Sequence, residues 1–162
     1  MTYIKTFSIF LILNFGALIV GGLLTGPGVS SEWYSNLNQA SWTPPGWVFG
    51  FAWTTIMVCF TFFMTGLYRT SINRRKVQVL FSIQWILNVS WNIAFFYFQS
   101  PILGLIIISS LTFVIILFLL FHTDHKPYSA LYIFPYISWL IIATSLNLYI
   151  VLYNLWKWSP FY

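Results

Sequence analysis

Apolar residues run through this chain in long blocks, and the polar residues fall between them. Five blocks are long enough to cross a bilayer, and the pattern predicts helices over Ile4–Leu24, Trp47–Tyr68, Val77–Phe98, Ile102–Phe121 and Tyr128–Leu152. A span needs about 20 predominantly apolar residues at 1.5 Å rise each. Membrane β-strands would alternate apolar and polar positions, and the run Leu103–Ile108 does not alternate. The expected fold class is therefore an all-α membrane protein, a five-transmembrane-helix bundle forming a single domain over residues 1–162.

Local chemistry marks the breaks. Gly26, Pro27 and Gly28 are expected to stop the first helix, since glycine tolerates positive φ and proline cannot continue a helix. Thr43 is expected to cap the second, with Pro44 in its first turn, where a missing N–H costs nothing. Arg69–Lys76 ends the second span, Ser100–Pro101 makes a tight turn between antiparallel neighbours, and His122–Pro127 separates the last two spans. The first span is too long for a signal peptide, and the Gly-Pro-Gly turn is no small-x-small cleavage site; a retained helix is expected.

Composition sharpens this picture. The 162 residues are 59% hydrophobic, 22% aromatic and 6% charged, against about 25% charged in soluble domains. The net charge is +5, and four of the seven basic residues cluster in one short connector flanking a span, which points to a membrane boundary and not to nucleic acid. Lys5, Arg69, Arg74, Arg75, Lys76 and Lys126 fall on one side of the expected topology, and Lys157 with Glu32 on the other. Basic residues stay cytoplasmic, so the N-terminus is expected inside, with the C-terminus and the first loop on the opposite side. Cys59 is the only cysteine and cannot form an internal disulfide.

Within the spans, polar residues recur at helical spacing. Gln84, Asn88 and Asn92 form a stripe with Trp91 and Phe95 alongside and Gln99 at its end. Trp139, Ala143 and Asn147 form another, with Asn154 beyond, and Trp53, Met57, Phe60 and Met64 a third. Such stripes face protein or a cavity, because lipid cannot satisfy them. They are expected to converge on one pocket, although asparagine in a span often makes only an interhelical hydrogen bond. Ala17 and Gly21 form a small-xxx-small contact, serving either a dimer interface or internal packing.

The loop and helix start from Trp33 to Trp53 carry tryptophans at 33, 42, 47 and 53 around Pro44–Pro45. Trp47 reads as an interfacial anchor, as do Trp156 and Trp158. Catalytic groups are scarce. No carboxylate lies in any span, Glu32 and Asp124 fall on opposite sides, and no Ser–His–Asp set is arguable. His122 and His125 could ligate haem iron or a metal, but they flank a basic turn and read first as interfacial residues. No metal site and no required cofactor are expected. A bare binding pocket is the simplest reading.

With those residues in view, the sequence resembles the TspO/translocator protein family of tryptophan-rich sensory proteins. Carrying the resemblance are Trp33–Tyr34, Leu37, Ser41–Pro45, Phe49, Trp53 and Tyr68. To these the third span adds Leu87–Asn88, Trp91–Asn92 and Phe95–Phe96, and the last adds Pro135–Tyr136, Trp139, Ala143, Leu146–Asn147 and Asn154. The resemblance implies a five-helix bundle, commonly a homodimer, with a pocket beneath the first loop for porphyrins such as protoporphyrin IX or haem-type ligands. It implies ligand contact by Trp53 and Trp139, by Tyr34, Pro44, Asn88, Trp91, Phe95, Ala143 and Asn147, and a lid carrying Trp33 and Trp42. Sterol binding is implied for some members, and a sterol-type pattern of Val151, Tyr153 and Lys157 is present but hypothesis-grade.

The resemblance places the chain in the plasma membrane of a bacterium or the mitochondrial outer membrane of a eukaryote. The expected function is a receptor or carrier for tetrapyrroles. Its alternatives are a light- and oxygen-dependent protoporphyrin-degrading enzyme, in which Trp53 and Trp139 would be catalytic, and a regulatory scaffold. Two departures bear on the pocket. Ala40 stands where the family usually has proline, which implies a looser lid, and Met57 replaces a commonly aromatic residue.

Overall fold

A computed structural model describes residues 2–122 and 131–154, although not the side chains of Phe121 and His122. It contains α1 (Tyr3–Val29), the short α2 (Glu32–Ser35), α3 (Gly46–Thr70), α4 (Arg74–Asn92), α5 (Pro101–His122) and α6 (Phe134–Asn154). A π-helical turn, Ile93–Tyr97, extends α4. Five helices are long and apolar enough to cross a membrane, as expected. His125, Lys126, Trp156, Lys157 and Trp158 lie outside the described residues, so the readings placed on them do too.

Three helix boundaries differ from the sequence reading, the last being the start of α6, at Phe134 after a turn over residues 131–133 and not at Tyr128. Gly26–Pro27–Gly28 does not end α1, which carries Pro27 inside it and runs on to Val29. So near the C-terminus, proline's missing N–H forfeits one bond, to the Leu23 carbonyl. The stop comes at Ser30, whose backbone N–H reaches the Gly26 carbonyl. Thr43 does not cap α3 either. Its N–H donates to the Ala40 carbonyl at 3.0 Å, and the helix starts at Gly46 after an extended Pro45. The turn between α4 and α5 is as tight as expected. Gln99 takes it at φ 49°, a left-handed conformation, and Ser100 Oγ accepts from the Leu103 N–H at 3.4 Å.

The long helices close into a ring in the order α3–α1–α4–α5–α6, with α6 returning to α3. One end of the ring is filled by rings. Phe60 stacks near Phe63 and Phe81 and meets Phe118 and Tyr136 edge-on, all within about the 4.5–7 Å favoured by aromatic pairs. Here α1 and α3 pack closely through Phe7–Phe62, Phe10–Tyr68 and the hydrogen bond Asn14 Nδ2 to Thr61 Oγ1 at 2.9 Å.

α1 also packs on α4 along its length, with Phe10 edge-on to Phe81 at the aromatic end. Trp85 Nε1 donates to the Leu13 carbonyl, and Thr25 Oγ1 donates to Asn92 Oδ1 at 2.7 Å. Ala17 and Gly21 are buried in this contact, so their small-residue motif serves internal packing. A Cβ on Gly21 would sit 2.9 Å from Asn92, and one on Gly28 would sit 2.3 Å from Phe96.

Gly28→Ala is therefore expected to destabilise the bundle by about 1–3 kcal/mol, the range for overpacking. Gly16→Ala, where a Cβ meets nothing within 4 Å, should be neutral or stabilising. Thermal melts of the two variants in detergent check this contrast; equal melting temperatures would contradict the close α1–α4 approach.

Candidate functional site

At the end opposite the aromatic core the ring opens, with α1 and α3 both lining the opening. The result is a cavity of about 600 Å³, within the size range of small-molecule sites. Trp53, Phe49 and Met57 from α3, Trp91 and Phe95 from α4, and Trp139 and Ala143 from α6 form its apolar walls. Trp91 stacks on Phe95 at 5.2 Å and 19°. Trp139 meets Phe49 edge-on at 5.2 Å, and Trp53 meets Tyr136 edge-on at 5.9 Å. The two indoles thus share the cavity, but each is braced by a different ring.

The polar stripes divide along their length. Their halves nearer the aromatic core are closed: Gln84 Nε2 donates to the buried Tyr136 hydroxyl at 2.9 Å, and Phe60 and Met64 are fully buried. Their other halves reach the cavity. Asn147 is held on both sides of its amide, accepting from Trp91 Nε1 at 3.1 Å and donating to the Pro101 carbonyl at 2.8 Å. It ties α4, α5 and α6 together. Asn92 is similarly engaged with Thr25 and with the Asn88 carbonyl.

Asn88 differs. It is buried and lines the cavity, and among the described residues its side-chain amide has no hydrogen-bond partner. The indole N–H of Trp139 is also buried without an acceptor. The Trp139 N–H is fully covered, a state that costs about 1–3 kcal/mol for an unsatisfied donor, whereas the Asn88 amide keeps accessible surface in the cavity and is the group a ligand's polar atoms reach directly.

The loop between α1 and α3 closes the cavity from above. Tyr34, Gln39, Thr43 and Pro44 line it from that side. Burial pushes the Tyr34 phenol above its ordinary value near 10, so it is neutral and able to donate at physiological pH. The loop is fastened mainly to α6. Asn154 is fully buried; its Oδ1 accepts from the Asn38 N–H at 2.9 Å and its Nδ2 donates to the Asn38 carbonyl at 3.2 Å. Asn38 Nδ2 adds a bond to the Tyr153 carbonyl. Trp42 packs edge-on against Tyr149 at 5.3 Å, with Nε1 3.4 Å from Ser145 Oγ. Ala40, in the place where proline was the expected residue, is buried beneath this clasp.

Of the residues singled out from sequence, Tyr34, Pro44, Trp53, Asn88, Trp91, Phe95, Trp139, Ala143 and Asn147 all reach the cavity wall. Trp33 and Trp42 do not line it. Trp33 packs edge-on against Phe95 at 5.6 Å, behind the wall, and Trp42 holds the loop from outside. Trp47 is 73% exposed, as an interfacial anchor would be. The α1 wall (Leu18, Gly22, Thr25 and Gly26 among others) was missed. Its signal was one threonine and several glycines inside an otherwise aliphatic span. Among the described residues no cluster of His, Cys, Asp and Glu could hold a metal.

The chain matches the TspO/MBR family over residues 8–153. It is similar to the tryptophan-rich protein TspO of Archaeoglobus fulgidus, with 33% identity over 91% of this chain and 94% of that one. The protein of the same name from Chlorobaculum tepidum is 35% identical over 79% of this chain and 83% of its own. The human translocator protein is 24% identical over 89% and 83% respectively.

Asn154→Ala removes the partner of both Asn38 backbone groups and should loosen the loop without emptying the core. Amide exchange at residues 36–42 is expected to speed up about tenfold or more, the equivalent of about 1.4 kcal/mol of local protection. Unchanged exchange there would show that the clasp does not hold the loop.

Proposed function

The chain belongs to the TspO/MBR family and is an integral membrane protein, and on that premise we propose that its cavity binds a tetrapyrrole such as protoporphyrin IX, with a sensory or carrier role. The observation that carries this reading is the pairing of aromatic walls with two unengaged polar groups. A flat, conjugated ring suits a cavity walled by Trp53, Trp91, Phe95 and Trp139, since offset and edge contacts with such rings are favourable. The Asn88 amide and the Trp139 indole N–H are the groups to meet a pyrrole nitrogen or a carboxylate. Asn147 is not, because its amide is already committed to Trp91 and Pro101. The name of the human relative, translocator protein, suits a carrier.

Titration with protoporphyrin IX, followed by tryptophan quenching, tests the reading. Saturable binding is expected in the wild type and its loss in the Trp53→Ala, Trp139→Ala double variant; unaltered binding there would refute the residue assignment.

The two asparagines should separate cleanly. Asn88→Leu is expected to weaken binding by about tenfold, the value of one or two buried hydrogen bonds, with little change in melting temperature. Asn147→Leu should lower the melting temperature first, since it leaves Trp91 Nε1 and the Pro101 carbonyl unpaired.

A further inference from the structure

Resting on the tetrapyrrole reading, we propose that the ligand enters sideways from the bilayer, through a glycine-flanked portal between α1 and α3 in the leaflet on the loop side. Four cavity-lining glycines stand at this seam: Gly22 and Gly26 on α1, Gly46 and Gly50 on α3. All four are exposed as well as cavity-lining, and a Cβ on any of them would meet no atom within 4 Å. This is unlike Gly21 and Gly28 on the same helix, which are closed against Asn92 and Phe96. The difference is one of side: α1 turns its tight glycines to α4 and its open ones to the seam.

The seam opens for a structural reason. The ring contacts and the hydrogen bond that join α1 to α3 involve Tyr3–Asn14 on one helix and Thr61–Arg69 on the other. Beyond Asn14, α1 is tied to α4 through Thr25 and Asn92. Toward the loop the two helices both line the cavity. Above, the loop is clasped to α6 by Asn154, so entry from water would first have to break that clasp.

The lining also favours a sideways path. Polar positions Thr25, Gln39 and Thr43 lie at the loop end, where Phe95 packs against Trp33 and Tyr34, and Asn88 lies one helical turn further in than Asn92, the partner of Thr25. A flat amphiphile resting in the bilayer keeps its carboxylates at headgroup level and its ring in the hydrocarbon. Sliding inward at constant depth, it never carries a charged group across the apolar core, which is the costly step in a membrane.

The test is exchange kinetics in nanodiscs, with protoporphyrin IX supplied already partitioned into lipid vesicles. Gly22→Leu with Gly50→Leu places bulk at the seam, where an added Cβ meets nothing within 4 Å. The association rate is expected to fall by about tenfold, an added barrier of about 1.4 kcal/mol, and because Gly22 and Gly50 also line the cavity, Kd is measured separately. Gly16→Leu with Gly66→Leu, equally open but away from the cavity, should leave the association rate as it is; if it slows it equally, the effect is general stiffening and the portal fails.

Unchanged rates in the seam variant overturn the portal. So does a weaker Kd with unaltered association, which would place the leucines in the bound site. Faster exchange in Asn154→Ala alongside an unaffected seam variant would put entry beneath the loop. No saturable quenching in the wild type sinks the tetrapyrrole reading itself and takes the portal with it.

Discussion

The close approach of α1 to α4 is the contact on which the rest of the bundle depends. In lipid, helices gain little from hydrophobicity, because the surrounding chains are as apolar as leucine; small residues and interhelical hydrogen bonds decide which helix lies against which. Gly21 and Gly28 let the α1 backbone come down onto Asn92 and Phe96, and Thr25 fixes the register with a 2.7 Å bond. The π turn after Asn92 is part of the same contact, since Ala94, Phe95 and Phe96 are all buried within it. At this end α1 is hydrogen-bonded to α4, and α1 and α3 both line the cavity.

Polar side chains then sort by what the bundle needs from them. Asn14, Asn92, Asn147 and Asn154 each join elements far apart in sequence, and each is engaged at both ends of its amide or through a hydroxyl partner. A membrane interior makes such engagement close to obligatory. Asn88, one helical turn from Asn92 in the same stripe, has no such duty. Its buried and unengaged amide is anomalous for a purely structural residue, whereas in a binding site it is what one would look for.

Sequence alone made the five spans legible, because length and the absence of charge are enough to define them. It also placed nine cavity-wall residues, through stripes at helical spacing and a family resemblance. What it could not do was separate Asn88 from Asn147. The two are the same residue type on converging stripes, and only the distance to Trp91 and Pro101 distinguishes them. The α1 wall stayed hidden for a related reason. Glycine carries no pattern of its own, so the tight Gly21 and the open Gly22 read alike until the neighbouring helices are in place. Pro27 misled in the opposite direction: a strong local breaker, it sits where only one bond was left to break.

A cavity of about 600 Å³ in so small a bundle is not a packing defect. It is open on one side, lined by exposed glycines of α1 and α3, so its contents are continuous with what surrounds the bundle. Its walls favour an apolar guest, and the polar loop end favours one with a hydrophilic edge. At the aromatic end Phe60, Phe63, Phe118 and Tyr136 are fully buried, joining three of the five helices, α3, α5 and α6. One end of the ring is closed by packed aromatic side chains, and the other holds the cavity.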